Sequence, residues 1–141
     1  MMKKIVMLLA AGMILFSCEK VKEEPQPTVA KEYPLGMSFV TDVYPSISKS
    51  CESCHTGNYS TASTAYSEFQ AMGYDTLVSQ PTITLAADSV KYWKQVDSLL
   101  RISNFYTFAN GSHKTKLLDR NVTTAELDKI YGWIIEGGQN N

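Results

Sequence analysis

Hydrophobic residues recur at helical spacing in four stretches of this chain, separated by polar or irregular segments. The spacing predicts a helix from Phe39 into Cys51, a second over 63–73, a third between Asp88 and Asn104, and a fourth between Thr123 and Gly137. Pro45 lies inside the first stretch and predicts a kink or a late helix start. Thr123 and Glu126 form a capping-box pattern at the start of the fourth. The pattern therefore predicts an all-α domain of about four helices.

Two connecting segments lack a periodic apolar face. Residues 74–86 contain Pro81 and β-branched residues without clean alternation, which predicts an extended loop. Residues 104–122 form the second connection and include Phe105, Tyr106 and Phe108. Because water solvates exposed aromatic rings poorly, this connection is expected to pack on something flat and apolar.

The beginning of the chain has the composition of an export signal. Lys3 and Lys4 precede an apolar run over 5–16, which is too short to span a membrane. The run ends in Leu15-Phe16-Ser17-Cys18, which resembles the lipobox of bacterial lipoproteins, in which the cysteine is lipidated and becomes the first residue. Residues 1–17 are thus predicted to be a lipoprotein signal peptide, 18–36 the lipidated Cys18 with a disordered tether, and 37–141 the folded domain. An ordinary signal peptide cleaved nearby, or an uncleaved anchor, is the alternative.

Composition adds two limits. The chain has 141 residues, of which 44% are hydrophobic and 19% charged, as in one ordinary globular domain. Removal of residues 1–17 takes away Lys3 and Lys4, which leaves 11 basic and 14 acidic side chains and a formal charge of −3. No basic excess points to nucleic acid, and none is expected as a partner.

The strongest chemical signal is Cys51-Glu52-Ser53-Cys54-His55, a Cys-x-x-Cys-His sequence typical of c-type haem attachment. Each thiol bonds to one vinyl group of a haem, and the adjacent imidazole reaches the iron from the same side. The chain has three cysteines, and with Cys18 assigned to lipid no thiol remains for a structural disulfide. An exported protein without a spare cysteine agrees with covalent attachment of one haem c.

With these motifs in place, the chain resembles the small monohaem cytochrome c domains of bacterial lipoproteins. The resemblance runs from about Phe39 to Asn141. It rests on the helix with Pro45 before the Cys-x-x-Cys-His sequence, on the short helix Tyr66–Met72, and on the closing pattern over 127–137. It implies a compact class I-like fold in which the first and last helices cross beside the haem, with His55 as the proximal iron ligand.

The second axial ligand departs from that family. Many of its members have a Met-Pro about twenty residues before the closing Trp, and this chain has Gly111-Ser112-His113 there instead. His113 is the only histidine besides His55, so its position favours His/His ligation of the iron. Met72 is the competing ligand. The remaining interpretations are an open sixth site and a plain surface role for His113.

Three functions follow from these interpretations. The favoured one is a membrane-anchored carrier of single electrons that exchanges them with redox partner proteins, at the periplasmic face or the surface of a bacterial cell. A haem protein with an open sixth site, suited to gas sensing or to peroxide or oxygen chemistry, is the second. The third is a non-haem lipoprotein in which Cys51 and Cys54 form a disulfide or, with His55 and His113, a zinc site.

Overall fold

The computed structural model describes residues 30–141, so the predicted signal peptide and Cys18 lie outside the described residues. This part of the chain is all-helical and contains no strand, which confirms the predicted fold class at the level of all-α. Its elements are a π-helix Phe39–Val43, α1 Tyr44–Cys51, α2 Ala62–Ala71, α3 Ser89–Arg101, α4 Asn104–Asn110, α5 Lys114–Asp119 and α6 Thr124–Ile135. None of the helices in this range is long and apolar enough to cross a membrane.

The four predicted helices are present, and side chains define their starts. Pro45 lies in the first turn of α1, where its missing N–H removes no hydrogen bond, and the expected irregularity is the change from π-helix to α-helix just before it. The Asp88 carboxylate accepts a hydrogen bond from the Lys91 amide at the start of α3. Thr123 and Glu126 form the predicted capping box of α6.

Residues 104–122 differ from the prediction of a connection without regular structure. They contain α4 and α5, which are seven and six residues long and meet at Gly111 to His113. The Ser103 side chain caps α4 by accepting a hydrogen bond from the Tyr106 amide. Both helices are too short for an apolar period to repeat, which is why spacing alone does not reveal them.

Residues 30–36 also differ from the prediction, because they pack on the domain. We call them the N-terminal strap. Tyr33 is only 6% exposed, and its ring lies 6.1 Å from that of Trp93 and 6.0 Å from that of Tyr131. The Lys31 ammonium pairs with the Asp128 carboxylate at 2.6 Å. The predicted boundary at residue 37 was therefore too late, and the folded part includes the strap.

The core joins the beginning of the domain to its end. The π-helix packs against α6, with the ring centroids of Phe39 and Trp133 5.0 Å apart. Phe69 of α2 and Phe105 of α4 complete this aromatic cluster, with their centroids 5.5 Å apart. The packing of the π-helix on α6 thus fixes the direction of α1, and with it the position of Cys51 at the end of α1.

Candidate functional site

One cavity of about 490 Å³ is lined by every site residue that the sequence predicted within the described range. Cys51, Cys54 and His55 line it, and so do Met72 and His113. His55 and His113 are the two histidines of the whole chain. The structure thus brings together residues that are up to 62 positions apart in the sequence.

The two cysteines and His55 occupy the end of α1 and the turn that follows. The carbonyl oxygen of Cys51 accepts hydrogen bonds from the amides of Cys54, at 3.1 Å, and His55, at 2.9 Å. This turn continues the helical spacing and holds the two thiols and the imidazole on one short piece of backbone. Cys51 is half-buried, and burial raises the pKa of its thiol, with a smaller contribution from nearby Cys54.

Glu52 organises the loop after the motif, a role that its sequence position did not reveal. Its carboxylate accepts hydrogen bonds from the amides of Gly57, at 3.0 Å, and Tyr59, at 3.1 Å. Gly57 has a φ of +92°, in the region that favours glycine. The loop therefore turns back on the motif and directs the buried Tyr59 ring edge-on to His55, with centroids 5.9 Å apart.

His113 lies at the start of α5, where its ring stacks on Phe108. The centroids are 4.1 Å apart and the planes are inclined by 29°. The Ser112 hydroxyl is 3.0 Å from Nδ1 of the imidazole. Burial lowers the pKa of His113, and the positive charge of Lys116 lowers it further, so the neutral imidazole is favoured. The side chain is half-buried in the cavity wall, unlike a histidine on a free loop.

Met72 follows the last turn of α2 and is 39% exposed. It lines the same cavity as His113. Its partial exposure distinguishes it from the buried core residues of α2, Ala65 and Phe69. Both candidates for a second axial ligand thus lie on the cavity wall.

The rest of the wall was not identified from the sequence as part of a site. Tyr59, Tyr74, Phe108 and Leu117 supply apolar surface. Phe108 belongs to the aromatic segment that was expected to pack on something flat and apolar. This expectation was the one feature of the sequence that could have identified Phe108 as part of the cavity wall. The Tyr74 and Phe108 rings have centroids 5.1 Å apart, so they form a continuous apolar patch.

Charged side chains are confined to the part of the wall formed by α5 and its end. Lys116, Asp119 and Arg120 line the cavity there. The Arg120 guanidinium donates a hydrogen bond to Sγ of Cys54 at 3.4 Å. One edge of a cavity whose remaining wall lacks Lys, Arg, Asp and Glu therefore carries a net positive charge.

The donor set fits a haem better than a zinc ion. Within residues 30–141, no three His, Cys, Asp or Glu side chains are grouped closely enough to hold a metal ion, whereas a zinc site needs about four converging ligands. A haem brings four nitrogens of its own and requires from the protein two thiols, axial donors and apolar walls. The volume also lies within the range of about 300–1,000 Å³ of cofactor sites.

No protein-family model, no curated protein and no solved structure matches this chain. The assignment of a function therefore depends on the motif and on the cavity itself.

Proposed function

We propose that the chain is a membrane-anchored c-type cytochrome that carries single electrons on one covalently attached haem. The observation that supports this most is the cavity, because the two thiols of the Cys-x-x-Cys-His sequence and both histidines of the chain line it together. Bound haem would supply an iron that changes between two oxidation states, a chemistry that no amino-acid side chain here offers.

Cys51 and Cys54 are the anchors in this proposal. Each thiol would hold the haem through a carbon–sulfur bond to one vinyl group, with the thiol proton going to the neighbouring vinyl carbon. His55 follows Cys54 directly and is the proximal ligand. Tyr59, Tyr74 and Phe108 give the cavity apolar walls, which favour retention of a large apolar cofactor.

His113 is the second axial ligand in this proposal. Its half-buried ring is held by Phe108 and Ser112, and a neutral imidazole is the form that binds iron. Met72 is the more exposed alternative. Ligation by two histidines gives a lower reduction potential than ligation by His and Met. It also leaves no open position for oxygen or peroxide, which favours electron transfer over the open-site alternative.

Export and a lipid on Cys18 complete the proposal. Several buried methylene groups, each worth about 0.8 kcal/mol, hold such a protein at a bilayer surface. The protein would exchange electrons with redox partner proteins at the periplasmic face or the cell surface.

Covalent haem is the first property to test. The full chain is expressed in a host that matures c-type cytochromes, and haem that stays on the denatured polypeptide is measured by its pyridine haemochrome spectrum. We expect one haem per chain in the wild type and none in the double variant Cys51→Ala, Cys54→Ala. Ser53→Ala, an exposed change between the two cysteines, is the matched control and is expected to retain the haem. A colourless, iron-free wild type would refute the proposal.

The axial ligand is tested by low-temperature EPR of the oxidised protein. We expect a low-spin wild type, a high-spin His113→Ala variant and an unchanged Met72→Ala variant. If His113→Ala stays low-spin with the wild-type spectrum, His113 is not the ligand. Carbon monoxide binding to the reduced wild type, without displacement of a strong ligand, would favour the open-site alternative.

A further inference from the structure

Glu52 occupies a position at which helix stability alone disfavours a carboxylate. It follows Cys51 directly and is the C-terminal cap of α1, with its amide hydrogen-bonded to the Ser48 carbonyl oxygen at 3.3 Å. The last carbonyl groups of a helix carry partial negative charge, so an acidic side chain beside them is unfavourable for the helix. The loop that follows offsets this effect, because it donates hydrogen bonds to both oxygens of the carboxylate.

The two hydrogen bonds close the loop between Glu52 and Tyr59. Oε1 of Glu52 accepts from the Gly57 amide at 3.0 Å, and Oε2 accepts from the Tyr59 amide at 3.1 Å. A charged acceptor makes such bonds stronger than those between neutral groups. The backbone position of Tyr59 is therefore set by a side chain that lies within the Cys-x-x-Cys-His sequence itself.

The Tyr59 ring transmits this position to His55. Tyr59 is 5% exposed, and its ring meets that of Phe69 in the core edge-on, with centroids 6.5 Å apart. It also meets the His55 ring edge-on, with centroids 5.9 Å apart and planes inclined by 79°. His55 is exposed, and within residues 30–141 Tyr59 is the only aromatic side chain that pairs with its ring. The contact with Tyr59 thus restrains rotation of the imidazole about its Cβ–Cγ bond.

We propose that Glu52 is a positioning residue that fixes the plane of the His55 imidazole through Tyr59, an inference that rests on the proposed function. Groups behind a metal-binding histidine orient its ring and tune the metal. When His55 binds the haem iron, the plane of the imidazole decides which d orbital of the iron its π electrons meet. A single plane gives sharp low-spin EPR signals, whereas a distribution of planes gives broad ones.

Two substitutions of Glu52 separate its hydrogen bonds from its charge. Glu52→Ala removes both, whereas Glu52→Gln removes the charge and keeps an amide oxygen that can accept from Gly57 or Tyr59. Loss of a negative charge beside the haem attachment sequence favours the ferrous state, so the reduction potential is expected to rise in both variants. Only Glu52→Ala releases the loop, so only its EPR spectrum is expected to broaden.

Glu68 offers a matched control for charge near Tyr59. It is half-buried, as Glu52 is, but the hydrogen bonds to the Gly57 and Tyr59 amides come from Glu52 alone. Burial is the main cause that raises the pKa of Tyr59 to about 12, and the charge of Glu68 contributes, so Glu68 lies close enough to act on this ring. Glu68→Ala therefore removes a nearby carboxylate without releasing the loop.

The test combines low-temperature EPR of the oxidised haem protein with amide hydrogen exchange of the reduced protein, followed by NMR. We expect the lowest-field low-spin signal of Glu52→Ala to be about two-fold broader than that of the wild type, and those of Glu52→Gln and Glu68→Ala to keep the wild-type width. Exchange of the Gly57 and Tyr59 amides should quicken by about ten-fold or more in Glu52→Ala and much less in Glu52→Gln. Redox titration of each protein measures the effect of the charge separately.

Substitutions of Tyr59 test the path through its ring. Tyr59→Leu is expected to broaden the signal as much as Glu52→Ala does, and the two changes together should broaden it no further, because both remove the same restraint. Tyr59→Phe keeps the ring and should leave the width unchanged.

Three results would overturn the positioning role of Glu52 while leaving the cytochrome proposal intact. The first is an equal signal width in the wild type and Glu52→Ala. The second is equal broadening in Glu52→Ala and Glu52→Gln, which would assign the effect to charge. The third is unchanged exchange of the Gly57 and Tyr59 amides in Glu52→Ala. Absence of covalent haem from the wild type is the separate result that removes the proposed function.

Discussion

Gly132 is expected to be essential for the position of the N-terminal strap. A Cβ at this position of α6 would lie 1.9 Å from the carbonyl oxygen of Pro34, far inside van der Waals contact. Gly132→Ala therefore displaces the strap. Exposure of Tyr33 costs about 1.5–3 kcal/mol, and loss of the partly exposed Lys31–Asp128 pair costs up to about 1 kcal/mol. Alanine regains about 1 kcal/mol of helix propensity in α6. The net loss is about 0.5–3 kcal/mol.

Urea unfolding of the two proteins measures this loss as a lower midpoint at an unchanged slope. The control is the same substitution in a chain from which residues 30–36 are deleted, compared with its own parent. Without the strap nothing blocks the new methyl group, so Gly132→Ala becomes neutral or stabilising by up to about 1 kcal/mol. An equal destabilisation in both chains would refute the reasoning, because the clash would then lie within α6 and its helical neighbours.

Two further predictions concern pH. Hydrogen bonds from Thr123 hold the pKa of Glu126 below its usual range, so its charged form stabilises the folded state at neutral pH and this contribution is lost as pH falls through the lowered pKa. Glu126→Gln keeps the capping-box pattern and is expected to lower the free energy of unfolding by about 0.5 kcal/mol at pH 7. The difference in stability between wild type and variant should vanish in acid. A difference that persists at pH 3 would contradict the role of the charge. Burial raises the pKa of Tyr131 to about 12 in the folded state. The stability that the buried neutral phenol contributes is therefore fully present below its unfolded pKa of about 10 and is lost as pH rises towards 12. Relative to Tyr131→Phe, the wild type should lose about 2 kcal/mol of its free energy of unfolding between pH 10 and 12. Urea unfolding at each pH measures this loss. If the free energies of unfolding of the two proteins change with pH in parallel, ionisation of Tyr131 does not affect stability.

The long helices were predictable because each carries its own signals. The apolar stripe of α3 follows the Asp88 cap, and α6 follows the capping box of Thr123 and Glu126. The placement of Cys51, Cys54 and His55 on one short turn was predictable for a similar reason, since they lie within five positions of the chain. These are features in which neighbours in the sequence are also neighbours in space.

The strap and the shape of the cavity were not predictable because they depend on distant contacts. Tyr33 stands among charged residues and prolines, and only its contacts with Trp93 and Tyr131 explain its burial. His113 was a candidate by position alone, and its stacking on Phe108 depends on how α4 and α5 meet. Arg120 approaches Cys54 only because the chain folds back over 66 positions.

In the proposed lipid-anchored protein, the strap would also set how far the domain can reach from the bilayer. With a lipid on Cys18, twelve Cα–Cα steps lead to Ala30 and span at most about 40 Å, whereas nineteen steps to Met37 would span about 65 Å. The volume above the membrane that the tethered domain can occupy is a half-sphere whose radius is the length of the tether. Because this volume varies with the cube of the radius, the shorter tether reduces it to about a quarter. The effective concentration of the anchored domain near a membrane-bound partner would therefore rise about four-fold. In the proposed protein, docking of seven residues onto the domain would shorten its reach and raise the frequency of its encounters close to the membrane.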